Sequence, residues 1–254
     1  MKARVKEFLV GVSRSAQAAI ASLPNASLQL ITRRPTYDLA KTPTSLVTNT
    51  DAADIPALNI AFRGASAALI VTPHDLSSGF QNDAQNTINM INAAAQGVKH
   101  IVLVGTWTTN NPIGLSKLAQ RFISPEKVLK ENGVYWTILR GGFFTQNLMS
   151  QAASIKNRNV TTVSKAKYTP VDVYNIGYCA ARILLDGPEK HHGKVYEMNG
   201  PEVLSMEEPA IWAEGVYDTI GLASPFTQHV GELIGHEKWM RFGEWAEKNK
   251  AKWA

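Results

Sequence analysis

Short apolar runs separated by stretches of helical periodicity fill the first two thirds of the chain. Phe8 to Val10, Leu28 to Thr32, Ser45 to Thr48, Ala67 to Val71, His100 to Val104 and Trp136 to Leu139 read as strands. They are too continuously apolar to leave one face in water, so the pattern predicts a parallel sheet covered on both sides. Between them the periodicity predicts helices over Ala16 to Leu23, Ile55 to Arg63, Gln81 to Gln96 and Pro125 to Asn132. The long helix sets Ala84, Ile88, Ile91 and Ala95 on one face and stops at Gly97, read as its C-cap, while Ser124 and Pro125 read as an N-cap and first-turn pair. Beyond residue 150 the pattern loosens, leaving a helix over Val173 to Leu185 closed by Gly187 and a strand over Lys194 to Met198. Near the end, Trp239, Phe242, Ala246 and Trp253 recur at near-helical spacing, which predicts a terminal helix docked by its aromatic face. Strand and helix alternation of this kind defines a doubly wound α/β sheet.

At 254 residues and 44% hydrophobic content, the chain can bury one large core. The reading is one compact unit, with residues 1–150 forming the core and 151–254 completing it and adding a small C-terminal lobe. The formal charge of +5 comes from 26 basic and 21 acidic residues spread along the chain. Even the densest basic stretch carries Glu237, Glu244 and Glu247, so the charge pattern does not suggest a nucleic-acid partner. The single cysteine, Cys179, falls within a helical pattern and reads as a buried hydrophobe, and the six histidines, His191 and His192 included, show no metal-ligand spacing. No run reaches the roughly 18 apolar residues of a membrane span, and the apolar run near the N-terminus is short for a secretory signal, so a cytoplasmic protein without a membrane partner is expected.

In such a sheet, ligands bind outside the carboxyl ends of the strands. That geometry selects Gly11 to Ala16, Arg33 and Arg34, Asp51, Thr72 to Asp75, Gly105 to Trp107, and Arg140 to Phe144 as the candidate site.

"GVKHIVLVGT", "YWTILRGGFFTQNLM", "YTPVDVYNIGYCAARILL" and "HGKVYEMNGPEVLS" resemble, in order and spacing, the NmrA-like atypical short-chain dehydrogenase/reductases. The closing "FGEWAEKNKAKWA" and the loop "SRSAQ" are most similar to the fungal branch that includes festuclavine synthase and agroclavine dehydrogenase. The resemblance implies a Rossmann-type fold and an NADP(H) site. Its nucleotide-loop glycines fall on Val10, Ser13 and Ala16, with Gly11 one place late, so the loop is degenerate. A β-branched valine at the tight turn costs roughly 1–3 kcal/mol if the loop keeps its usual shape. The remaining features support a dinucleotide: Ser13, Arg14 and Ser15 at a helix start for pyrophosphate, Arg33 for the 2′-phosphate, Asp51 near the adenine, and Thr72 and Pro73 after the fourth strand.

The resemblance implies less for chemistry. Its lysine before the sixth strand is Phe122 here, beside Arg121, with Lys117 nearby, and its serine pair appears as Val104 and Gly105, followed by Thr106. His74, Asp75, Thr106 and Lys117 are then the candidate catalytic groups, and Trp107, Arg121, Phe143, Phe144 and Asn147 a substrate pocket. Three functions stay open. One is an NADP-dependent reductase of a small apolar secondary metabolite, whose acceptor, an activated double bond or iminium, needs little proton transfer. Another is a cofactor-free isomerase or cyclase that performs a redox-neutral rearrangement or epoxide opening. The third is an NADP-sensing regulator without turnover. No metal enters any of them.

Overall fold

The computed structural model describes residues 6–10, 27–32, 45–73, 79–110, 117–151, 167–205 and 226–252. In chain order the strands are β1 (Lys6–Val10), β2 (Ser27–Thr32), β3 (Ser45–Asn49), β4 (Ala67–Val71), β5 (His100–Thr106), β6 (Tyr135–Gly141), β7 (Lys167–Tyr168), β8 (Lys194–Met198) and β9 (Leu204–Ser205). Seven of them form one sheet in the order β3-β2-β1-β4-β5-β6-β8, every neighbouring pair parallel. β7 and β9 make a separate short antiparallel ladder. The helices are α1 (Ile55–Ala61), α2 (Asp83–Ala95), α3 (Lys117–Glu131), α4 (Val173–Asp186), α5 (Pro188–His191), α6 (His229–Ile234) and α7 (Phe242–Lys248). The fold is the Rossmann-type parallel α/β sheet that the sequence pattern predicts.

Period-two alternation explains the two layers. Leu69, Val102, Val104 and Leu139 pack with Ile176, Cys179, Ala180 and Ile183 of α4, whereas Ile70, Ile101, Leu103 and Ile138 pack with Leu58, Met90, Ile91 and Leu129 of α1, α2 and α3. Every residue of β5 is buried, as expected of a strand with helices on both faces. Cys179 is buried, and burial pushes its thiol well above its ordinary pKa, consistent with a packing role.

Several boundaries depart from the sequence pattern. α3 begins at Lys117, and Pro125 lies inside it, so Ser124 and Pro125 do not open a helix. An interior proline removes one helical hydrogen bond and crowds the preceding turn. Here the helix is held from both sides of it, by Arg121 pairing with Asp83 and by Glu126 pairing with Arg140. The inner face of α2 carries Asp83, Asn86, Thr87, Met90 and Ala94, with Ala84, Ile88 and Ala95 only partly buried. Thr87 is accommodated there by donating its hydroxyl proton to the Asp83 carbonyl at 2.8 Å. Gln96 is the C-cap of α2, and Gly97 is not left-handed, whereas Gly187 does end α4 at φ 90°. Near the C-terminus, Trp245 rather than Phe242 is the fully buried residue of α7, and Trp239 precedes that helix and packs on the α4 side of the sheet. The helix predicted over 16–23, and Trp253, lie outside the described residues.

At the amino-terminal edge, α5 closes over a buried histidine. Thr137 donates its hydroxyl proton to the His191 carbonyl at 2.9 Å, so it accepts from His100 Nε2, also at 2.9 Å. This fixes the tautomer and leaves His100 Nδ1 buried with no hydrogen-bond partner. Burial, with His191 and His192 nearby, lowers the His100 pKa from 6.5 to about 4, and Glu189 only partly offsets this. A histidine held neutral in the fold supplies stability that is complete above pH 6.5 and is lost as pH falls toward 4. Urea unfolding curves are expected to show a loss on the order of 3 kcal/mol across that range. His100→Leu should remove most of that slope, and an unchanged slope would assign the acid sensitivity elsewhere.

Candidate functional site

The strand order reverses direction between β1 and β4, the switch point at whose carboxyl ends sheets of this kind place a ligand crevice. Thr72 and Pro73 follow β4 at that edge. Thr72 is 4% exposed, and its hydroxyl oxygen is buried without a hydrogen-bond partner. A buried hydroxyl left unpaired costs free energy, so this one fits a polar ligand group. Asp51 lies exposed after β3, where its carboxylate accepts the Ala53 N–H at 2.9 Å. Gly11, Ser13, Arg14 and Ser15, which follow β1 in the chain, and Arg33, which follows β2, lie outside the described residues, as do His74 and Asp75.

Across the edge, β5 ends in Thr106 and runs into a 3-10 turn, Trp107–Asn110. Thr106 is paired in register with Gly141 of β6, and its hydroxyl lies 3.2 Å from that of Thr108. Trp107 is 9% exposed. Lys117 is the first residue of α3, and its side chain lies outside the described set. Phe144 lies against Gly141, where any side chain would strike its ring. Phe143 turns into a cluster with Leu148, Trp245 and Tyr168, and Asn147 is half-buried, its N–H donating to the Phe144 carbonyl at 3.0 Å. Arg121 is ion-paired with the fully buried Asp83, with its guanidinium 4.3 Å from the Phe80 ring and 5.6 Å from that of Phe122. Phe122 itself is buried. Thr106, Trp107, Phe143 and Phe144 thus share the β5–β6 end of the edge, and Thr72 and Pro73 its crevice.

The densest polar cluster there was not legible in advance. Arg140 donates to both oxygens of Glu126, at 3.1 Å from Nε and 2.6 Å from Nη2, the bidentate geometry of a strong pair. It also donates to Asn110 Oδ1, and Asn110 donates on to Glu197 at 2.6 Å. Arg140 and Glu197 are register partners on β6 and β8, and Gly105 is the partner of Arg140 on β5. A Cβ at Gly105 would come within 3.1 Å of Glu126 Oε1. The glycine standing at a serine position of the resemblance therefore makes room for the ion pair. Only Arg140 of this cluster was selected by its place after a strand. Glu126, Asn110 and Glu197 carry no signal in the chain, because each is defined by a partner distant in sequence. Among the described residues no group of His, Cys, Asp or Glu side chains could hold a metal ion.

A doubly wound parallel sheet in this strand order is the architecture of the Rossmann-type class, whose switch point takes a ligand. A family model described as NAD(P)H-binding matches residues 13–178. The chain belongs to this NAD(P)H-binding family. It is 27% identical over 197 residues to quinone oxidoreductase 2 of Escherichia coli (strain K12), an alignment that covers 76% of this chain. The chain spans between about half and about two thirds of the curated relatives it matches, with 66%, 53% and 52% of their lengths aligned. Its fold superposes on the Citrobacter sp. triphenylmethane reductase complexed with NADP(H), with a TM-score of 0.80 at 19% identity over 95% of this chain and 99% of that one. It also superposes on NmrA, a negative transcriptional regulator solved in complex with NADP, with a TM-score of 0.71 at 14% identity over 96% and 95%.

Removing Arg140 leaves Glu126 charged and buried, which costs more than the pair itself contributes. Arg140→Met is expected to lower the unfolding free energy by about 3–5 kcal/mol in urea titrations. Adding Glu126→Leu should recover much of the loss, and a strictly additive double variant would show that the two side chains are not coupled.

Proposed function

We propose that the chain is an NADP(H)-dependent reductase of a small, largely apolar acceptor. The observation that carries the reading is Thr72, whose buried hydroxyl has no partner within the chain and stands at the switch-point crevice of an NAD(P)H-binding family member. Thr72 and Pro73, with Asp51, would hold the dinucleotide from β4 and β3. Gly11, Ser13, Arg14 and Ser15 would take the pyrophosphate, and Arg33 the 2′-phosphate. The bound cofactor supplies a hydride. Thr106 offers a hydroxyl at the end of β5, and Trp107 covers that end with an apolar surface. Phe143, Phe144 and Asn147 would close the substrate side together with the C-terminal lobe.

The acceptor class follows from what the edge holds. Phe122 is buried where the resemblance implies a lysine, and Arg121 is neutralised by Asp83. Neither supplies a proton at neutral pH. This favours an electron-poor conjugated bond, of a quinone, enone or iminium kind, which accepts hydride before any proton. The relatives named for the reduction of quinones, azo compounds and triphenylmethane dyes support that class. If a proton donor is needed, His74, Asp75 and Lys117 are the candidates.

Titrating the full chain with NADPH, following tryptophan quenching, is expected to give saturable binding in the micromolar range. Thr72→Val should weaken it about 5-fold, the equivalent of one net hydrogen bond of about 1 kcal/mol. Oxidation of NADPH with 1,4-naphthoquinone then separates a reductase from an NADP-sensing regulator. No binding up to about 1 mM, weaker than roughly 4 kcal/mol, would overturn both and leave a cofactor-free isomerase or cyclase in the same cleft.

A further inference from the structure

We infer that Glu197 is a positioning residue for the reaction edge, acting through Asn110 on the turn that carries Thr106, Trp107 and Thr108. The turn is tied to the strand by Thr109, whose hydroxyl reaches the Thr106 carbonyl at 2.9 Å and Glu126 at 3.3 Å. Its far end is held by the Asn110 side chain, clamped between Arg140 on one side and Glu197 on the other. Both oxygens of Glu126 accept from Arg140. Glu197 is the unsaturated member: its Oε1 accepts from Asn110 at 2.6 Å and lies 3.7 Å from Arg140 Nη1, while its Oε2 is buried with no hydrogen-bond partner.

The surroundings make this joint sensitive to charge. Glu197 faces Arg140 on β6, Glu126 on α3 and Asn110 on the turn, with Lys130 behind Glu126 at 3.6 Å. From the α6 side, His229 Nδ1 accepts the Glu197 backbone N–H at 2.9 Å, which anchors the strand rather than the carboxylate. Burial, reinforced by the Glu126 charge, raises the Glu197 pKa against the opposing pull of Arg140 and Asn110. Ionised, Glu197 takes a charge-assisted hydrogen bond from Asn110 and attracts Arg140. Protonated, it offers Asn110 only a neutral acceptor, and the end of the turn loosens. The position of Trp107 and Thr106 therefore follows the ionisation of a carboxylate on the outermost strand.

The role in turnover rests on the reductase reading, but the positioning does not, so the test separates them. Tryptophan emission of the full chain is recorded from pH 8 to pH 4, together with that of Trp107→Phe to isolate the Trp107 contribution. A Trp107 transition is expected with a midpoint above the ordinary glutamate value. Glu197→Gln should show the low-pH emission at every pH, and Asn110→Ala, which cuts the link while leaving Glu197 beside Arg140, should also abolish the transition. Persistence of the transition in either variant overturns the inference. With NADPH and 1,4-naphthoquinone, Glu197→Gln should lower kcat roughly 3- to 10-fold with little change in KM or in NADPH binding, the difference between a charge-assisted and a neutral hydrogen bond. A rise in KM with kcat unchanged would also overturn it. If no form of the protein turns over, the reductase reading fails and the emission measurements alone decide the positioning.

Discussion

A guanidinium at the end of an inner strand has to be neutralised where it stands. The Arg140 side chain is 11% exposed, and water cannot do for it what a carboxylate within hydrogen-bond reach can. Glu126 answers that need, and much of the carboxyl edge follows. α3 runs unbroken past Pro125 and carries Glu126, glycine at 105 leaves room for its carboxylate, and the remaining Arg140 donor fastens Asn110. α3, the turn after β5 and the edge strand β8 thus meet around one ion pair.

The same edge differs from end to end in how its polar groups are satisfied. From β5 to β8 most of them pair with one another, Glu197 Oε2 excepted, and these pairs hold the turn that carries Thr106 and Trp107. At β4 the Thr72 hydroxyl has no partner, and the crevice between β1 and β4 lies beside it.

Between the halves, Arg121 shows how a cation can be retained while its chemistry is removed. Asp83 neutralises it, and the Phe80 ring stacks over it from a residue at φ 68°, a conformation that a non-glycine residue keeps only when its surroundings reward it. This assembly joins the first turn of α2 to α3, and the buried Phe122 stands next to it. Together they spend a cation and an aromatic ring on packing at the start of α2 and along α3.

The strands were legible because their signal is local. Ala67–Val71 and Lys194–Met198 are bounded in the structure where the apolar pattern bounds them, and the switch-point rule then selected Thr72, Thr106 and Arg140 without further information. The start of α3 was not legible, since Ser124 followed by Pro125 is locally a better helix start than a helix interior, and only contacts on either side of the proline override that preference. Nor were the partners of the site: Asp83 and Arg121 are 38 residues apart, Glu126 and Arg140 14, and Asn110 and Glu197 87. The sequence by itself determined the layered parallel sheet and the edge where a ligand belongs, because hydrophobic periodicity acts over a few residues. The tertiary structure alone decided which polar groups at that edge are paired with each other and which, like the Thr72 hydroxyl, are left without a partner, because a hydrogen bond between distant residues depends on where the finished sheet brings them.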